Sequence, residues 1–240
     1  GDIEIVVCSK NKRINVLNYD GSEQFEYNTG QYLIGTPALG NIDDDEDLEI
    51  IIGGYSGSKK LYVVNPDGSD VEGFPLVLDE KMKAGVALAD FNGNGKVDIV
   101  VGTDSENVYL IYDDGSIADG FPFEGDGDFQ SEPIILDING EKVIYIGSKD
   151  GTLYGISESG EEIFSLETSD DIMSSPSVLE LDQGVSPIIF FGNDDGELYA
   201  ISSSGSVIDG FPVIFDAEIV SSPVLSDFDS DGMIELVVAL

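Results

Sequence analysis

Histidine and tryptophan are absent from the 240-residue chain, cysteine occurs once, and lysine and arginine together number only 10. Without histidine the chain lacks the commonest general base and the usual zinc ligand. A single cysteine excludes a disulfide framework and a cysteine-based metal site. Cys8, within the apolar run IEIVVCS, reads as a small core residue in preference to a reactive thiol. The shortage of bases leaves 48 acids largely unopposed, for a net charge of −38. Such a surface argues against general nucleic-acid binding and is repelled by anionic membrane. It suits solubility, cation binding, or surroundings salty enough to screen self-repulsion. No apolar run reaches membrane-spanning length, and no signal peptide is visible. Hydrophobic residues still make up 41% of the chain, so the acidity is not that of a disordered tail. A chain of this length can bury roughly 70% of its unfolded surface.

What is present is a repeat. Tyr62, Tyr109, Tyr154 and Tyr199 stand in LYVV, VYLI, LYGI and LYAI at intervals of about 45 residues. GFP recurs at Gly73, Gly120 and Gly210 in the same period, and a turn (PDGS, DDGS, ESGE, SSGS) follows each tyrosine segment. YDGS at Tyr19–Ser22 belongs to the same series, with Asn15 in the tyrosine place. Within one unit, GVALAD, VDIVVG, NVYLIY and GFPF are four strand signals separated by turn residues. No segment shows helical periodicity. Four strands repeating at this interval predict an all-β fold, a β-propeller of four-stranded antiparallel blades; the coils of the rival β-solenoid are usually shorter. The expected organisation is a single propeller domain or segment over 1–240. It has complete blades at about 34–79, 83–126, 129–171 and 172–217, and partial ones at 1–33 and 218–240. GDIEIVVCS aligns with GMIELVVAL, so both ends offer the same second strand, and the expectation is a segment of a propeller of six to eight blades. The recurrent tyrosines, with Phe74, Phe121 and Phe211, are expected to pack between blades.

A second pattern sits between the first and second strands. ADFNGNGKVDIVVG offers Asp90, Asn92, Asn94 and Asp98 at positions 1, 3, 5 and 9 of a loop. SDFDSDGMIELVV offers Asp227, Asp229, Asp231 and Glu235, and GNIDDDEDLEIII offers Asn41, Asp43, Asp45 and Glu49. Position 7, which is Lys96, Met233 or Asp47, would give its backbone carbonyl. Hard oxygens spaced this way can wrap a cation needing six to eight ligands, which favours calcium over magnesium. Asp/Asn/Gly turn chemistry without metal is the bland alternative, but three copies in one slot favour about three calcium sites. The corresponding segments LDINGEKVIYIG and LELDQGVSPIIFFG carry Val143 and Ile188 in the closing position, and no calcium is expected there.

The pattern D-x-D-x-D-G-x-x-[DE] before an apolar strand resembles the FG-GAP (VCBS-like) repeats of integrin alpha-subunit propellers and many secreted bacterial proteins. The resemblance covers nearly the whole chain and is most specific at Asp227–Glu235 and Asp90–Asp98. It departs at Asn41 and at Glu46, which takes the usual glycine place. It implies calcium at these loops, a secreted or cell-surface location, and an adhesion or recognition module for protein or glycan. The alternative is the calcium-stabilised scaffold of a secreted polysaccharide lyase or glycosidase. The residues favour a non-enzyme, since there is no histidine and no G-x-S-x-G elbow. GYSGS and GISES read as turns. The bases gather in second-to-third and inter-blade loops, opposite the calcium loops, so Lys12, Arg13, Lys59 and Lys60 mark the expected partner face, while direct insertion into a membrane is not expected.

Overall fold

The computed structural model describes residues 3–180 and 185–240. The chain divides into two compact units, Gly1–Glu124 and Gly125–Leu240. The first unit holds three antiparallel sheets. β1 (Glu4–Cys8), β2 (Arg13–Asn18) and β3 (Glu23–Asn28) form a three-stranded sheet. β4 (Ala38–Gly40), β5 (Glu49–Gly53), β6 (Lys60–Val64) and β7 (Leu76–Val77) form a four-stranded one. So do β8 (Ala87–Ala89), β9 (Asp98–Gly102), β10 (Asn107–Ile111) and β11 (Phe123–Glu124). In the second unit, β12 (Ile134–Ile138), β13 (Glu141–Gly147), β14 (Thr152–Ser157) and β15 (Glu162–Glu167) make one four-stranded sheet. β16 (Ser177–Leu179), β17 (Ile188–Gly192), β18 (Glu197–Ser202) and β19 (Val213–Ile214) make another, and β20 (Val224–Ser226) pairs with β21 (Glu235–Val237).

The apolar runs explain the stacking. β5 reads EIIIG and is buried at every position, which requires cover on both sheet faces, because successive side chains point to opposite sides. Ile51 joins Leu61 and Val63 in a cluster with Ile99, Val101, Tyr109 and Ile111 of the following sheet. Ile50 and Ile52 turn the other way, joining Tyr62 and Val64 in a cluster with Ile14, Val16 and Leu33. The middle strands are therefore held between neighbours. In the second unit, Tyr145 and Leu153 likewise pack with Ile189, Phe191 and Tyr199. In the first and last sheets in chain order the corresponding strand is less covered: Ile5 of β1 is 44% exposed and Val237 of β21 is 47% exposed.

The tyrosines are packing residues, as expected. Tyr62, Tyr109, Tyr154 and Tyr199 are all buried, and each hydroxyl is used. Tyr62 donates to the Thr29 carbonyl (2.7 Å), Tyr109 to Glu80 (2.9 Å), Tyr154 to Asp150 (2.7 Å) and Tyr199 to Glu197 (2.9 Å).

The outer strands differ from the sequence expectation. GFP is not itself the fourth strand: β7, β11 and β19 begin after its proline and are two residues long. The Phe–Pro bonds at Phe74, Phe121 and Phe211 are cis. Where GFP is missing, the fourth strand follows its turn directly and runs six residues, as β15 does. The first strand is also shorter than the six-residue signal GVALAD suggests, with β8 covering only Ala87–Ala89. In LDINGEKVIYIG the first-to-second connection is a tight hairpin on Asn139 (φ 60°) and Gly140 (φ 91°), both left-handed as a type I′ turn requires. The matching segment before β17 includes 181–184, outside the described residues.

Gly73, with φ 89°, carries a second constraint: a Cβ there would lie 2.4 Å from the Asp114 carbonyl oxygen in the turn of the following sheet. Gly21 has a similar φ of 83° but open space around it. Gly21→Ala should therefore cost about 1–2 kcal/mol for its backbone alone. Gly73→Ala should cost about 1–3 kcal/mol more, because it also overpacks. Urea unfolding of the two variants checks the difference.

Candidate metal loops

Each loop is built on the same hydrogen bond. The apolar residue at position 2 turns its N–H onto the closing acid: Ile42 to Glu49 (2.7 Å), Phe91 to Asp98 (2.8 Å) and Phe228 to Glu235 (2.8 Å). Side-chain oxygens at positions 3 and 5 then accept N–H groups two residues on, as in Asp45 to Asp43 and Asp47 to Asp45 (2.9 and 2.8 Å). These Asx turns curl each loop.

The three loops differ in what remains unsatisfied. In the 41–49 loop, Asp43, Asp45 and Glu49 place carboxylate oxygens within 4.8 Å of one another. Ile42 is buried in the core cluster and anchors the loop. Glu49 is 0% exposed, and its Oε1 is buried without a hydrogen-bond partner. Burial, reinforced by the charges of Asp43 and Asp45, raises its pKa above the usual carboxylate range. Asn41 does not aim solely inward, since its amide nitrogen donates to the Asp45 carbonyl.

In the 90–98 loop, Asp98 is equally buried, yet both its oxygens are occupied. Oδ2 accepts from Phe91, and Oδ1 accepts from the Asp113 N–H (3.1 Å) and the Asn92 amide (3.3 Å). Asp90 accepts the N–H groups of Gly93, Asn94 and Gly95. The Asn92 and Asn94 amides both donate to Asp113 (3.4 and 2.9 Å). In the 227–235 loop, Asp227, Asp229 and Glu235 again converge within 4.8 Å, but in a more exposed setting. Asp231 accepts the Met233 N–H (2.8 Å) and stands outside that trio. Of the position-7 residues, Asp47, Lys96 and Met233 are each tied through their N–H to position 5.

One participant and two roles lay outside the sequence reading. Asp113, from the DDGS turn, is drawn beneath the 90–98 loop. Lys96 reaches away from its own loop to Asp44 (2.8 Å) and Asp113 (3.5 Å), and these carboxylates raise its pKa, Asp44 foremost. The apolar position 2 was visible in all three loops, but its use as an anchor was not.

Several of the bases named above are neutralised or packed in place. Arg13 pairs with Glu26, and Lys59 donates to the Asp79 carbonyl (2.7 Å) and pairs with its carboxylate at 3.6 Å. Lys12 lies over the Tyr32 ring at 5.4 Å, and Lys81 over Tyr55 at the same distance. The Lys60 N–H bonds Gln31 (3.2 Å).

Neither a protein-family model nor a curated protein matches the sequence. Solved structures do. BamB from Moraxella catarrhalis is 17% identical with a TM-score of 0.68, over 93% of this chain and 62% of that one. Sqt1 from Saccharomyces cerevisiae is 13% identical with a TM-score of 0.75, over 98% and 65%. BBS1N, in complex with ARL6DN, is 14% identical with a TM-score of 0.67, over 100% and 70%. These are β-propeller proteins, and at such identities the likeness defines the fold alone: the chain is a β-propeller. It spans about two thirds of the length of each.

Cys8 behaves as a packed residue. Burial pushes its thiol up to about 12, which starves it of thiolate near neutral pH. Because the folded pKa of this acid is raised, its stabilising contribution is present below the ordinary value of 9.0 and is lost as pH climbs toward about 12. Its reaction with a thiol reagent at pH 8 should be at least about 100-fold slower in the folded chain than in urea. Equal rates would place the sulfur at the surface.

Proposed function

We propose that the chain is a calcium-stabilised, non-catalytic recognition propeller of the FG-GAP type, working outside the cell on a protein or glycan partner. The observation that carries this reading is the Glu49 oxygen, buried and unpartnered, beside Asp43 and Asp45. A buried carboxylate oxygen without a donor is costly, and a hard cation with oxygen ligands removes that cost. Asp43, Asp45 and Glu49 would hold one ion, with Asn41 and the Asp47 carbonyl completing the shell. Asp227, Asp229, Asp231, Glu235 and the Met233 carbonyl would hold a second. Asp90, Asn92, Asn94, Asp98 and the Lys96 carbonyl form the third and weakest candidate, having only two carboxylates. The ion supplies countercharge and crosslinks a loop to the start of a strand; no chemical step is assigned to it. Weak extracellular-type sites, at about 10⁻⁴–10⁻³ M, fit a calcium-rich compartment. No described helix is long and apolar enough to cross a membrane.

An ion at about 100 times its dissociation constant stabilises the fold by about 2.7 kcal/mol per site. At about 2–4 °C per kcal/mol for a chain of this size, chelation should lower the melting temperature by about 5–10 °C for each occupied loop. Glu49→Gln keeps an acceptor for Ile42 but lacks the charge, so it should lose part of the calcium response without losing ion-free stability. A melting temperature indifferent to chelator defeats the calcium reading.

The partner face is the one carrying Lys12, Arg13, Lys59 and Lys60. Opposed charge steers encounter, and Arg13 and Lys59 are already paired. Reversing Lys12 and Lys60 to Glu should therefore slow association with a partner found by glycan and protein screening more than reversing Arg13 and Lys59. If all four reversals leave rate and salt dependence unchanged, recognition lies elsewhere.

A further inference from the structure

We propose that Lys96 is a resident counter-cation for the 41–49 loop, holding the ion-free form together and keeping that loop's calcium affinity low. The inference rests on the calcium reading of the preceding subsection. Six of the nine residues from Asn41 to Glu49 are acids, and no base lies among them. The positive charge comes from the next sheet. Lys96 sits at position 7 of its own loop, yet its ammonium is 2.8 Å from Asp44, with a side chain only 24% exposed. It lines an acidic cavity of about 720 Å³ together with Asp43, Asp45, Asp70, Glu72 and Asp113, and of all the lining residues it alone is basic.

The placement is enforced by backbone. The N–H of Val97, adjacent to Lys96, donates to the carbonyl of Asn41, position 1 of the neighbouring loop (3.0 Å). A Cβ on Gly40 would lie 2.8 Å from Val97 Cγ2, so the two loops approach closely at this point. The Lys96 backbone is therefore held beside the 41–49 loop, and its side chain reaches Asp44 of that loop. Its charge opposes that of the ion at short range, while in the ion-free state it offsets repulsion among the acids. Both effects are electrostatic, so salt should weaken them.

The test is calcium titration by calorimetry, with ion-free melting in chelator, on the full chain in a Glu235→Gln background that silences the 227–235 loop. A unit charge at such separations in a high-dielectric setting changes binding by roughly three- to tenfold. Lys96→Gln should tighten calcium binding by that factor and lower the ion-free melting temperature. Lys96→Arg should restore both values, and the affinity gap should narrow in about 1 M salt. Lys96→Gln with wild-type affinity and wild-type ion-free melting overturns the proposal. Adding Glu49→Gln separates the two failures. If that variant titrates like its parent, the loop takes no ion and the calcium reading has failed along with the inference. If it loses uptake while Lys96→Gln changes nothing, the inference alone has failed.

Discussion

The middle strands of the four-stranded sheets are largely buried on both faces, and the rest of the structure follows from that. A strand such as β5 cannot face water on either side, so a sheet built around it needs a neighbour above and below. Stacking repeats because the requirement repeats, and the interval of about 45 residues is the chain length needed to lay down four short strands and return. The tyrosine in the third strand adds a polar end to an apolar body, so one residue packs between sheets and also bonds to a loop or connection.

The same constraint draws charge inward at the strand starts. Glu49 and Asp98 are the first residues of β5 and β9, and the apolar residues after them carry their carboxylates into dry surroundings. The chain resolves this in two ways. Around Asp98 it supplies donors from the loop and from the turn at Asp113. Around Glu49 it supplies one donor and leaves the second oxygen open toward two further carboxylates. Two loops of one sequence pattern thus differ electrostatically: both oxygens of Asp98 have protein donors, and one oxygen of Glu49 has none.

Charge elsewhere is managed locally. With ten bases against 48 acids, most positive groups are held by a carboxylate or an aromatic ring. Arg13, Lys59 and Lys149 are in ion pairs, and Lys12 and Lys81 lie over tyrosines.

The repeat, the all-β class, the four-strand unit and the three donor loops were legible in the sequence, because each depends on residues close together in the chain. Apolar runs bounded by glycine and aspartate define strands, and alternating oxygens define a curled loop whatever surrounds it. The true extent of the outer strands was not legible. GFP recurs at the right interval, but pairing depends on which backbone groups reach β6, β10 and β18, and that begins only past the proline. Nor could the sequence tell the Glu49 loop from the Asp98 loop beyond counting carboxylates. Their difference rests on Asp113, fifteen residues past Asp98, and on Lys96, which turns to Asp44 in the preceding sheet. Local pattern determined where oxygens gather; only tertiary packing decided which of them are left without a partner, because satisfying a buried lone pair takes a donor from another part of the fold.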